Sequence, residues 1–177
     1  MCETLMLCFR DLVTQPGETI AFHLALIQRY GHCWWGWWKK PIENVPVDLV
    51  QGLASQRNGR SPAILLYDCG RYKLYRARLD GVAIAPGEGT VSSPDVEKTP
   101  EYYDHLRLSL WLKLGAISEI TEATTRMKEL TYVGFPSWPQ ESLYEAYKGK
   151  PIGSWEELDQ TTVTLWHLNG PDDLCRY

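Results

Sequence analysis

Four tryptophans fall within five residues, Trp34-Trp35-Gly36-Trp37-Trp38, and these side chains are the ones best suited to hold a ligand. An indole offers a broad apolar face with a single N–H at its edge. A flat base or a methylated group held between such faces gains on the order of 1–3 kcal/mol of stacking per base. On an extended strand Trp35 and Trp37 share one face and Trp34 and Trp38 the other. Gly36 between them marks a bulge or a close approach of backbone. One face can pack in the core while the other lines a pocket. The competing reading packs all four for stability alone. Lys39 and Lys40 follow directly. They can contact a phosphate beside a stacked base, or stay solvated before Pro41.

A second cluster mixes cations with aromatics: Arg71, Lys73, Arg76 and Arg78, with Tyr72 and Tyr75 between them. It reads as a phosphate-binding groove or as a charged, exposed sheet face. Just before it, Tyr67 can extend an aromatic wall. Asp68 can accept from a base edge or shape a turn with Gly70. Covalent chemistry is less well provided for. A thiol nucleophile would need Cys33 or Cys69 beside His32, His105 or His167, and both cysteines read as buried and inert. His23 sits within an apolar helix and reads as a core histidine. HExxH, P-loop, GxGxxG and GxSxG motifs are missing from the sequence. Asp172-Asp173 and Glu156-Glu157 look like exposed ends. No catalytic residue, metal or cofactor is assigned.

The 177 residues fit one domain, 1–177, in which 121–177 form a C-terminal extension. A net charge of -4 argues against tracking a long phosphate backbone but leaves single-base recognition open. Eight Trp and ten Tyr against three Phe favour half-exposed binding surfaces as well as cores. Five cysteines, an odd number without CxxC spacing, read as reduced thiols of a cytoplasmic protein. The first ten residues lack a basic n-region, and no apolar run is long enough to cross a bilayer.

These side chains need elements to position them. Residues 4–12 read as a first strand and 19–30 as a helix with Ile20, Leu24 and Ile27 on one stripe, closed by Gly31. The tryptophan segment reads as the next strand. A short helix follows over 47–57, closed by Asn58-Gly59, then strands at 62–68 and 71–84, the second bent near Gly81. Residues 85–101 form a long loop of the kind that often carries function. Strict alternation from Leu106 to Leu114 predicts a half-buried strand. Helices are expected at 121–130, 142–148 and 154–159, an irregular segment at 131–141, and a last strand at 161–168. The order favours an α+β fold on a mixed, mostly antiparallel, curved sheet or partly open β-barrel.

This arrangement resembles the PUA-like superfamily, in particular small domains of the EVE, YTH and ASCH type. The likeness covers roughly residues 30–120. It rests on the tryptophan segment after the first helix, the apolar strand ending at Tyr67-Asp68, the returning strand from Tyr75 to Ala83, and Tyr102-Tyr103-Asp104 leading into the Trp111 strand with its Ile117 to Ile120 exit. The resemblance implies binding of a modified nucleobase in an aromatic cage, or of RNA; the reading it supports is a non-catalytic reader of a modified nucleobase or nucleotide, by analogy the recognition part of a larger assembly such as a nucleic-acid-targeting defence system. Two rivals stand beside it: a protein-interaction module with an exposed aromatic surface, and an enzyme acting on nucleotides or RNA.

Overall fold

The computed structural model of the protein describes residues 1–56 and 59–177. The chain runs β1 (Cys2–Phe9), α1 (Glu18–Tyr30), β2 (Cys33–Gly36), α2 (Val47–Ala54), β3 (Ala63–Asp68), β4 (Lys73–Ile84), β5 (Val91–Ser92) and β6 (Arg107–Leu108). It continues with β7 (Leu110–Glu119), α3 (Ala123–Met127), β8 (Thr131–Gly134), α4 (Trp155–Gln160), β9 (Leu165–Gly170) and α5 (Asp172–Cys175). Seven strands form one sheet in the order β2-β7-β4-β3-β1-β9-β8, and β5 pairs with β6 in a separate ribbon. Among the described residues only β1 and β3 run parallel; the other pairings are antiparallel. The fold is the expected mixed, mostly antiparallel α+β sheet. It stays open, with β2 and β8 as its edges.

The central strands are buried on both faces, so their residues alternate between two cores. Leu5, Leu7, Ile64 and Leu66 face a core shared with Trp35, Trp37, Ile20 and Val50. Met6, Leu65 and Tyr67 face a second core with Phe135, Leu158, Trp166 and Leu174. Residues 121–177 thus complete one side of the sheet and add β8 and β9 to it.

The alternating segment from Leu106 divides at Ser109. Arg107–Leu108 pairs with Val91–Ser92, and β7 begins at Leu110. Leu110, Leu112 and Leu114 are buried as the alternation requires, but Leu106 is 41% exposed. Trp111 falls on the opposite face and is nonetheless fully buried. The loop after β4 folds over it, and Val91 O accepts its indole N–H at 2.8 Å. The helix expected over 121–130 shortens to α3, which starts from Glu122 at φ 57. Part of the irregular 131–141 segment becomes β8. The helix expected over 47–57 ends at Ala54; Arg57, its expected last residue, and Asn58, the first of the expected closing pair Asn58-Gly59, lie outside the described residues. The tryptophan strand is only four residues long.

Cysteine pairing departs from the expectation of free thiols. Cys8 and Cys69, 61 residues apart, are joined by a disulfide across a Cα–Cα distance of 6.3 Å, within bridging range. Parallel pairing sets Cys8 against Tyr67 and leaves Cys69 two residues further along, a proximity that chain spacing cannot reveal. Cys2, Cys33 and Cys175 are free. Thiol titration of the denatured, unreduced protein should therefore count three, and reduction should raise the count to the full five. A count of five without reductant refutes the pairing.

Candidate functional site

A cavity of about 330 Å³ opens where the end of β1, the tryptophan segment and the approach to β9 meet. Trp35, Trp37, Trp38, Tyr102 and Tyr103 wall it, and Phe9, Leu12, Val13, Val163 and Trp166 complete its apolar lining. Trp35 and Trp37 are 3% and 2% exposed, so their rings belong largely to the core. Trp38 lies past the strand end and is half-buried. It stands perpendicular to Tyr102 and Tyr103, at centroid distances of 6.4 and 5.8 Å.

Register explains the wall. The pairing of β2 with β7 runs without a bulge, so Trp35 and Gly36 meet Leu112 and Trp111. Gly36 marks a close approach: a Cβ there would lie 2.8 Å from Trp111 Cζ3 and 2.9 Å from Tyr103 Cε1. Gly36 N–H donates to Tyr103 Oη at 2.9 Å, and that hydroxyl donates to Gly36 O at 3.1 Å. Tyr103 thereby covers the edge of β2. Behind Trp35 lies His23, stacked at 4.2 Å and fully buried. Its Nδ1 faces Thr19 O at 2.7 Å, and burial holds its pKa down at about 4. Burial also pushes the Tyr102 and Tyr103 hydroxyls well above the usual phenol range.

The polar side of the cavity is organised by Glu43, a fully buried carboxylate. Oε1 accepts from Ser137 Oγ and Thr164 N, each at 2.8 Å, and Oε2 accepts from Thr164 Oγ1 at 2.6 Å and Lys40 N at 3.0 Å. Because the Thr164 hydroxyl donates to Glu43, its lone pairs are free to accept the Trp37 indole N–H at 3.1 Å. One carboxylate therefore fixes a cavity-lining threonine, a tryptophan and the Lys40 backbone together. Charge at the mouth comes from Arg10, Lys40 and Asp159. Lys40 Nζ donates to Thr162 O at 2.5 Å, and Asp159 Oδ1 accepts from Tyr67 Oη at 3.2 Å.

Other residues singled out in the sequence lie elsewhere. Trp34, Lys39, Tyr67, Asp68, Tyr72 and Tyr75 do not line the cavity. Tyr67 is buried in the second core and stacks on Trp155 at 4.9 Å. Asp68 is buried and ion-paired to Arg71 Nε at 2.7 Å, and Arg71 Nη2 donates to Tyr75 Oη at 3.0 Å. That group sits beneath the loop before α1, with Asp11 at 3.9 Å from Arg71. Arg78 pairs with Asp80 at 2.8 Å and Lys73 with Glu119 at 3.0 Å. Arg76 donates to Asp173 O and lies over the Tyr177 ring at 4.7 Å. Nearby carboxylates, together with the C-terminal segment, thus engage every cation of this cluster. Cavity residues that the sequence did not single out as ligand-binding are Arg10, Tyr102, Tyr103, Asp159 and Thr164, and behind them Glu43. Tyr102-Tyr103 had a signal, an aromatic pair beside the long loop. Glu43 had none, since a lone glutamate between two prolines reads as solvated.

Among the described residues no group of His, Cys, Asp or Glu is arranged to hold a metal ion, and no helix is long and apolar enough to cross a membrane. Neither the curated proteins nor the solved structures contain a significant match to the chain. A family model described as Pua-like matches residues 5–173, nearly the whole sequence and well beyond the 30–120 stretch that carries the resemblance. The aromatic cavity and the curved mixed sheet are therefore those of a chain that belongs to the Pua-like family.

Proposed function

We propose that this protein is a non-catalytic reader that holds one modified nucleobase or nucleotide in the aromatic cavity. The observation that carries this reading is the convergence of Trp35, Trp37, Trp38, Tyr102 and Tyr103 on one concave site. Aromatic walls of this kind can hold a flat base by stacking or by edge-to-face contact, and a cavity of this size falls at the small-ligand end of the usual range. Arg10 and Lys40 at the mouth supply positive charge for one phosphate. The engagement of Arg71, Lys73, Arg76 and Arg78 elsewhere agrees with a ligand that does not need an extended phosphate track. On this reading the protein is the recognition part of a larger nucleic-acid-directed assembly, a step that rests on analogy with the fold.

A second reading takes the cavity mouth as a protein-docking surface. It draws on Leu12 and Val13, which are 70% and 58% exposed at the rim. Tryptophan fluorescence separates the two. Titration with short RNA and DNA oligonucleotides and free nucleotides, with and without base methylation, should quench the signal for at least one member. Trp38→Ala removes a half-buried wall without opening the core, and should weaken that binding by roughly tenfold or more. If the folded protein responds to no member of the panel, the docking surface is the better account.

A further inference from the structure

The polar groups that line the cavity can be counted against their partners. Tyr103 Oη is used twice by Gly36. Thr161 Oγ1 donates to Leu158 O and accepts from Trp166 Nε1. Thr164 Oγ1 donates to Glu43 and accepts from Trp37. Thr19 Oγ1 faces Thr14 Oγ1 at 3.0 Å. Lys40 Nζ donates to Thr162 O and keeps its other N–H donors, and three further groups have spare capacity. The Trp38 indole N–H is buried without an acceptor. Arg10 takes part in no ion pair among the described residues. Asp159 uses one oxygen to accept from Tyr67 and keeps the rest of its carboxylate free.

An ionised carboxylate only accepts hydrogen bonds. Asp159 is also the one acid among the described residues that line this cavity. Tyr67 is rigid, fully buried and stacked on Trp155, so its hydroxyl holds Asp159 in place at the mouth. We infer that Asp159 is the specificity-determining residue of the pocket and selects bases that present an exocyclic amino group. Guanine, cytosine and adenine bring such a donor to an acidic side chain. Uracil and thymine carry their one N–H between two carbonyls, and those carbonyls would face the carboxylate. Rejection of the wrong base comes from this repulsion as much as from the bond gained. The inference rests on the nucleobase reading above and adds the class of base.

The test measures the affinities of the 5′-monophosphates of guanosine, adenosine, cytidine, uridine and thymidine, with N6-methyladenosine, 5-methylcytidine and 5-methyluridine monophosphates beside them. Amino-bearing members should bind roughly tenfold more tightly than the keto pyrimidines, the size of one good base-edge contact. Asp159→Asn replaces an acceptor pair with one acceptor and one donor. Asp159 is exposed, so the variant should fold normally, and it should abolish or reverse the preference. Equal or tighter binding of uridine and thymidine, or an unchanged preference in the variant, overturns the inference while leaving the nucleobase reading intact. No binding by any monophosphate overturns both.

Discussion

Glu43→Ala should lower folding stability by roughly 3–5 kcal/mol, the largest effect expected from any single exposed-looking polar residue in this sequence. Its carboxylate is fully buried and makes no ion pair among the described residues. Instead it satisfies four donors: two hydroxyls, which can rotate to other partners, and the amides of Lys40 and Thr164, which cannot. Each buried amide left unpaired costs about 1–3 kcal/mol. Loss of the Thr164 anchor also frees the Trp37 ring, so the variant should bind ligand poorly even where it remains folded. Glu43→Gln keeps the volume and one oxygen, but its amide NH2 points at a donor, and it should fall between alanine and wild type. Urea unfolding at constant m-value gives the comparison. A loss under about 1 kcal/mol for Glu43→Ala would mean that water or rearranged hydroxyls replace the carboxylate, and that the polar side of the cavity is not organised as described.

Acid should weaken the fold through His23 well before the carboxylates titrate. Burial disfavours the charged imidazole and lowers its pKa from 6.5 to about 4. With a depressed pKa in a basic group, the unfolded chain takes up the proton first. Stability is then complete above about pH 6.5, falls as pH drops towards 4, and levels off below that. The shift corresponds to roughly 3 kcal/mol over that interval. Because His23 stacks on Trp35, the same protonation should disturb the fluorescence of the cavity wall. His23→Phe keeps a ring against Trp35 and removes the titration. Its stability should be nearly flat between pH 6.5 and 4, where wild type slopes. Equal slopes in the two proteins would assign the acid sensitivity to other groups.

Legibility from sequence follows the range of the forces involved. Local pattern placed the strands around Ala63–Asp68 and Lys73–Ile84, and it placed α1 with its cap at Gly31, where φ is 82°. It also marked Gly36 as a site of close approach and put Trp35 and Trp37 on one face, because side-chain alternation is a property of the strand itself. Burial along α1 was harder to read. The buried stripe is Thr19, Ile20 and His23, whereas Phe22 and Leu24 are 43% and 39% exposed. Hydrophobicity names the residues that can go inside, but the neighbours decide which face does.

The ligand site shows the same division. Composition and clustering alone pointed to the tryptophan segment, since four indoles in five residues exceed what chance packing needs. Its other half is contributed by residues far away in the chain: Tyr102 and Tyr103 from the loop before β6, Thr164 and Asp159 from the C-terminal segment, and Glu43 from a turn. Arg71 and Asp68 looked available as single residues, yet the turn between β3 and β4 engages them with each other and with Tyr75, three and four residues apart. A side chain's type and its periodic neighbours are written locally, so the sequence determined the aromatic face and the core strands. Whether a charge is free, a hydroxyl is spent or a thiol is bonded depends on the folded arrangement, at short separation for Asp68 and Arg71 and across tens of residues for Glu43, Tyr103 and Cys8. Only the tertiary structure brings those partners within the few ångströms over which hydrogen bonds and contact packing act.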